Sequence, residues 1–243
     1  MEKRRALVGT GWYGSPKMAR ASAFLDPRLS EYLVAHAQPA DPLLAELAAE
    51  TERSWCEMDM QVSPDEGALL RLLVRLCGAG RAIELGTFTG YSSLCIAQGL
   101  PPGGRLLCCD VSEEWTSVAR RYWERAGLAD RIELRLGPAL ETLAHLPLGP
   151  LFDFAFIDAE KSEYIAYYEA LVPRMAAGGL IAVDNVLRHG TVFGLGEPDR
   201  RTALAREFND HVLADPRTES VILPIADGLS LITTASPGWR TPG

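Results

Sequence analysis

The segment Ala82-Ile83-Glu84-Leu85-Gly86-Thr87-Phe88-Thr89-Gly90-Tyr91-Ser92 constrains this chain more than any other. An apolar pair runs into Glu84, a glycine turn follows at Gly86, and a helical pattern starts beyond Gly90. Strand, tight turn and helix start in that order suit a nucleoside-type cofactor, because glycine backbone and a helix N-terminus can both approach it. Two later apolar runs end in acid, at Phe152 to Asp158 and at Leu180 to Asn185. On one sheet those ends bring Asp158, Asp184 and Asn185 to a common edge, where oxygen ligands could hold a hard cation.

From residue 81 onward the chain alternates between strand and helix. Strands are expected over about 81–86, 105–110, 131–136, 152–158 and 179–184, and helices over about 91–99, 113–126, 138–145, 161–175 and 200–214. Two further strands, about 219–224 and 228–234, meet across Ala226-Asp227-Gly228, a short turn that makes them antiparallel. Alternating units with near-continuous apolar strands predict an α/β fold: a mostly parallel sheet covered by helices on both faces. Ahead of it, Asp26-Pro27 and Asp41-Pro42 open two helices, and Ser63-Pro64-Asp65-Glu66 opens a third with Ser63 as cap and Glu66 at the capping-box position. Residues 1–25, with scattered Trp12, Tyr13 and Phe24, read as an N-terminal arm, disordered or docked on a partner subunit, and 26–243 as a single domain.

Composition narrows the setting. The 243 residues are 47% hydrophobic and 23% charged, enough for one sizeable core, and a net charge of -8 argues against non-specific nucleic-acid binding. No uninterrupted apolar run is long enough to predict a membrane span, and no apolar stretch behind the basic Met1–Arg5 start predicts a signal peptide. Cys56, Cys77, Cys95, Cys108 and Cys109 form no CxxC pair and read as free thiols of a reducing cytoplasm.

Asp110 ends the second strand, where an acid can accept the hydroxyls of a ribose or, alternatively, cap the next helix. Gly86 and Gly90 do not make GxGxxG, which weakens a nicotinamide-dependent oxidoreductase on the same architecture. Asp158 and Asp184 either serve a divalent cation or bind backbone amides. A cofactor-binding scaffold or regulator without catalysis is the third reading; a cation site speaks against it.

Five motifs in order resemble the cation-dependent, S-adenosylmethionine-dependent O-methyltransferases, the group of the caffeoyl-CoA and catechol enzymes. They are Met60-Gln61-Val62-Ser63-Pro64-Asp65-Glu66-Gly67, Glu84 to Ser92, Gly137-Pro138-Ala139-Leu140, Ile157-Asp158-Ala159-Glu160-Lys161 and Asp184-Asn185, within about residues 40–234. The resemblance implies a Rossmann-like class I methyltransferase fold of seven strands with an antiparallel last strand. It implies cofactor contacts at Val62, Ser63, Glu84, Gly86, Thr87, Ser92, Asp110 and Ala139, with Asp158 and Glu160 on the cofactor side. It implies a metal set of Asp158, Asp184 and Asn185 holding Mg²⁺, Mn²⁺ or Ca²⁺, with Lys161 beside the reacting hydroxyl as general base or electrostatic guide.

The expected activity is methylation of one hydroxyl of a catechol-like acceptor. Chelation of a vicinal diol by a dication eases ionisation of a phenol whose ordinary pKa is about 10. Tyr167, Arg188 and His189 are expected to line the acceptor pocket. His189 departs from the plant acyl-CoA enzymes, which resemble a pattern with Asn, and this leaves the CoA-ester acceptor open. The expected partners are a small aromatic diol and a second copy of the chain in a homodimer, with no nucleic acid and no membrane.

Overall fold

A computed structural model of the chain describes residues 24–36, 41–55 and 60–234. The arm's Trp12 and Tyr13 and the thiol of Cys56 lie outside the described residues. Three helices come first: α1 (Pro27–His36), α2 (Pro42–Trp55) and α3 (Pro64–Leu76). Alternation then sets in with β1 (Arg81–Leu85), α4 (Tyr91–Gly99), β2 (Arg105–Asp110), α5 (Glu113–Arg125), β3 (Ile132–Leu136), α6 (Ala139–His145) and β4 (Phe152–Ile157). It continues through α7 (Tyr164–Leu171), β5 (Met175–Val183) and α8 (Arg200–Ala214) to the hairpin of β6 (Thr218–Leu223) and β7 (Leu229–Thr234).

The seven strands form one sheet in the order β3-β2-β1-β4-β5-β7-β6. β1 to β5 run parallel, and β7 enters antiparallel between β5 and β6. The expected seven-stranded, mostly parallel sheet with an antiparallel last strand is therefore present. Its strand order reverses beside β1, so ligands are expected beyond the carboxyl ends of β1 and β4.

Strand alternation fills two apolar layers. Phe154, Phe156 and Cys108 pack with Leu47, Leu70, Leu94 and Trp123 under α2 to α5. Ala155, Ile157 and Cys109 pack with Leu143, Tyr168 and Phe208 under α6 to α8. Adjacent thiols thus face opposite layers, as period-two side chains must. Burying a phenylalanine as fully as Phe154 or Phe156 contributes about 2 kcal/mol.

The structure departs from the expected helix over 161–175. It gives a 3-10 turn at Lys161–Glu163, α7, and a second 3-10 turn at Val172–Arg174, while β5 begins at Met175 rather than near 179. Pro173 cannot continue an α-helix, which ends it early. The register with β4 then slips between Phe152 and Phe154, and Gly178 takes a left-handed φ of 73°, so residues ahead of Leu180 bulge out of the ladder.

β1 carries a charge-bearing residue into this apolar interior. Glu84 is fully buried, opposite Cys108 on β2, whose Sγ lies 3.4 Å from Glu84 Oε2. Burial pushes the Glu84 carboxyl up to about 7, although Ser92, Thr87 and Cys108 favour the ionised form. A folded-state pKa above the unfolded value means the native state holds the proton longer, so stability from this group falls as pH rises through 7. From pH 6 to 8 the loss is about 1 kcal/mol. Urea unfolding of Glu84→Gln should lack this component, giving a flatter stability profile than the parent over that interval; parallel profiles would refute the assignment.

Candidate active site at the carboxyl edge of the sheet

The ends of β1, β2, β4 and β5 open on a cleft of about 780 Å³. That volume suits a cofactor-sized ligand with a small second molecule. Val62, Gly86, Thr87, Ser92, Asp110, Ala139, Asp158, Glu160, Lys161, Tyr167, Asn185, Arg188 and His189 all line it. Glu84 and Asp184 do not; they are buried behind its wall. The cleft thus joins both groups of residues that the sequence pointed to.

Gly86 makes that junction possible. It takes a left-handed φ of 89°, and a Cβ there would overlap the carbonyl oxygen of Asp158. Only glycine lets the β1 turn lie directly against the end of β4. The turn is tied to β2 by Asp110, whose Oδ2 accepts the N–H groups of Thr87 and Phe88, each at 2.8 Å, while Oδ1 accepts Ser112 N–H at 2.8 Å. Asp110 therefore lines the cleft and also holds the turn and the entry to α5. Phe88 packs edge-on to Trp115 at 5.3 Å and to Trp55 at 6.1 Å, forming an aromatic wall.

The opposite end is acidic. Asp184, only 1% exposed, accepts Asn185 N–H at 2.5 Å on Oδ1 and Asn185 Nδ2 at 2.9 Å on Oδ2. Burial and the charge of Asp158 push its carboxyl up to about 7. Asn185 has a left-handed φ of 61° and spends its amide nitrogen on Asp184, which leaves its amide oxygen for another partner. Asp158 meets Lys161 Nζ at 2.8 Å. Lys161 also donates to the Tyr164 hydroxyl at 2.6 Å, and that hydroxyl reaches the Asp184 carbonyl at 3.1 Å. Burial alone would lower the Lys161 pKa, but Asp158 and Tyr164 outweigh it and hold the ammonium charged. In this arrangement the Lys161 ammonium is committed to Asp158 and Tyr164.

Glu66 corrects the sequence reading. Ser63 does cap α3, accepting Glu66 N–H at 3.3 Å, but the Glu66 carboxyl does not complete a capping box. It is fully buried, and among the described residues its oxygens meet no N–H donor, only the Asp184 carboxyl with which it can share a proton. Burial first, then Asp184 and Asp158, push its pKa well up. Capping-box spacing and a functional acid look the same in sequence. Phe88, Trp115, Arg201 and Asp227 also line the cleft without having been singled out. Glu160 accepts Ser162 N–H at 3.3 Å and so caps the turn at Lys161 as well as facing the cleft.

Three carboxyls, two of them buried, face a single ammonium, so without further positive charge Glu66 and Asp184 are driven toward their protonated forms. The chemistry of this set fits a hard dication. Among the described residues no His, Cys, Asp and Glu grouping of three forms a metal cage by itself. A cation here would rest on Asp158, Asp184 and the Asn185 amide oxygen, with Glu66 behind them.

At the mouth, Tyr167 donates its hydroxyl to Glu163, and His189 donates its backbone N–H to the buried Asp227. Phe24, at the edge of the arm, packs its ring 5.8 Å from Phe193, just past this corner. Other histidines serve elsewhere: His211 meets Glu169 at 2.7 Å, and His145 meets the Glu141 carbonyl at 2.7 Å.

A sequence model of the O-methyltransferase family matches residues 34–235. A probable caffeoyl-CoA O-methyltransferase 2 of Dictyostelium discoideum is 37% identical, over 83% of this chain and 89% of that protein. The catechol O-methyltransferase domain-containing protein 1 of Mus musculus is 36% identical, over 93% of this chain and 87% of that protein. Among solved structures, the Bacillus cereus O-methyltransferase in complex with SAH superposes with a TM-score of 0.76 at 34% identity, covering 85% of this chain and 97% of that one. The sheet is the Rossmann-like sheet of class I methyltransferases, and the chain belongs to the O-methyltransferase family.

Proposed function

We propose that this protein transfers the methyl group of S-adenosylmethionine to one hydroxyl of a vicinal aromatic diol, and that it does so with a divalent cation, Mg²⁺, Mn²⁺ or Ca²⁺. The observation that carries the reading is the acidic cluster of buried Asp184 and Glu66 with half-buried Asp158, set against Lys161 at the end of the cleft. The SAH complex of the Bacillus cereus relative supports the cofactor, and the names of the Dictyostelium and mouse relatives support the acceptor class.

Each part of the cleft has a task in this reading. The Gly86 turn gives backbone access to the methionine end of the cofactor, Asp110 Oδ1 retains a lone pair toward the ribose, and Ala139 with the Phe88–Trp115 wall encloses the base. Asp158, Asp184 and Asn185 would hold the cation, which supplies the positive charge that favours ionisation of a bound diol. Lys161, kept charged by Asp158 and Tyr164, offers a donor to the developing oxyanion and fixes its direction. The acceptor hydroxyl gives its proton to solvent water on ionisation, its oxygen bonds to the methyl carbon as the carbon–sulfur bond breaks, and sulfur leaves with the bonding pair. Tyr167, anchored by Glu163, walls the acceptor side. Holding oxygen, carbon and sulfur in line supplies much of the rate.

Methyl transfer to catechols should proceed with Mg²⁺ and stop with excess chelator; equal rates in both would sink the cation assignment. Asp158→Ala should lower turnover at least ~100-fold while SAH affinity, read by calorimetry, changes far less. Glu66→Gln should weaken Mn²⁺ binding, followed by electron paramagnetic resonance, by roughly 10-fold, as loss of a supporting carboxylate does. Unchanged Mn²⁺ affinity would place Glu66 outside the cation's reach.

A further inference from the structure

Arg188 is the least satisfied cation of the cleft. Its side chain is only 16% exposed, yet its nearest acids are Asp199 at 3.8 Å and Asp227 at 4.0 Å, beyond hydrogen-bond length. Nε is buried with no partner. Each acid is held away by its other oxygen: Asp199 Oδ1 caps α8 through Thr202 N–H at 2.7 Å, and Asp227 Oδ1 takes the His189 N–H, while the Oδ2 atoms that face Arg188 stop short of bonding it. Among the described residues no hydrogen bond reaches the guanidinium, which has five N–H donors to offer. The contrast is Arg174, also buried, which donates to the Ala170 carbonyl at 2.6 Å and the Leu146 carbonyl at 3.0 Å. Leaving the Nε of a mostly covered arginine unbonded is costly, so the position calls for a partner.

The backbone holds it there under strain. Arg188 and His189 are consecutive left-handed residues, with φ of 47° and 51°, a conformation unfavourable for side-chain-bearing residues. The β6–β7 turn fixes this corner: Val186 N–H bonds Gly228 O at 3.0 Å and Leu187 N–H bonds Asp227 O at 2.9 Å. Arg188 shares one small void with Lys161, Tyr164 and Asn185, so its head lies beside the residues that would hold the diol. Arg201, exposed on α8, lines the same cleft and adds positive charge.

We infer that the natural acceptor carries a carboxylate close to its dihydroxylated ring, and that Arg188 is the receptor for it. A planar guanidinium binds a carboxylate through two parallel hydrogen bonds, which fixes the ring as well as holding it. The inference rests on the diol methylation proposed above. That Arg188 and Asn185 line one small void favours a carboxylate on the acceptor itself over the phosphates of a distant carrier group.

The test compares protocatechuate, a vicinal dihydroxybenzoate, with its neutral amide and with a dihydroxycinnamoyl-coenzyme A thioester. The acid should be preferred over the amide by ~10-fold or more in kcat/KM, chiefly through KM, as a charge-assisted hydrogen bond provides. In Arg188→Gln that ratio should fall toward one, and in Arg188→Lys it should be intermediate. Arg201→Gln, on the exposed face of α8, should reduce it less and guards against misfolding of the first variant. Calorimetry of protocatechuate and its amide with the Mg²⁺–SAH enzyme should show the same preference. An unchanged acid-to-amide ratio in Arg188→Gln, in turnover and in binding, overturns the inference while diol methylation stands. A thioester preference that Arg188→Gln abolishes assigns the guanidinium to a phosphate and overturns it too. Absence of turnover with every acceptor removes the diol reading, whereas an acid preference in binding that Arg188→Gln abolishes would still uphold the anion site.

Discussion

The contact between Gly86 and the end of β4 is the constraint on which the rest of the site depends. A turn that serves a cofactor and a strand end that serves an acidic cluster have to meet without a side chain between them. Glycine at a left-handed φ of 89° supplies that, and the parallel pairing of β1 with β4 brings the two ends level. Asp110 then locks the turn from the other side through the Thr87 and Phe88 N–H groups. The geometry of transfer is set by backbone first and by side chains second.

Charge is distributed by the same economy. Glu66 comes from α3, Asp158 from β4 and Asp184 from β5, so three separate elements carry acid toward one point. Folding these carboxyls away from water is unfavourable unless they hold protons or meet positive charge. Lys161 answers part of that demand and is itself pinned by Tyr164. The acidic end is therefore strained electrostatically in the way a binding site is, and the apolar layers under both faces of the sheet bear that cost.

Much of this was legible in the sequence because strands and turns speak locally. The apolar runs ending at Leu85, Asp110 and Ile157 gave their strands almost to the residue, and the Asp227-Gly228 turn gave the antiparallel hairpin. Four of the five family motifs converge on one cleft for the same reason, each at a strand end, and the fifth reaches it from the start of α3. Glu66 was not legible as a site residue, since its spacing from Ser63 is also that of a helix cap and its neighbours are far off in sequence. Phe88 and Trp115 looked like ordinary apolar residues until β1 and α5 were set side by side. The early start of β5 at Met175 was hidden by a helical pattern that Pro173 interrupts.

The placement of β7 between β5 and β6 has a consequence for how the site is assembled in time. Synthesis from the N-terminus makes β1 to β5, and with them the glycine turn and the cofactor side, before the β6–β7 hairpin exists. Asp227, which grips the His189 backbone and faces Arg188, arrives only with that hairpin. An emerging chain can thus shape the pocket for one ligand while the floor under the other is still missing. The hairpin acts as the closing piece that turns a nucleoside cradle into a two-substrate enzyme.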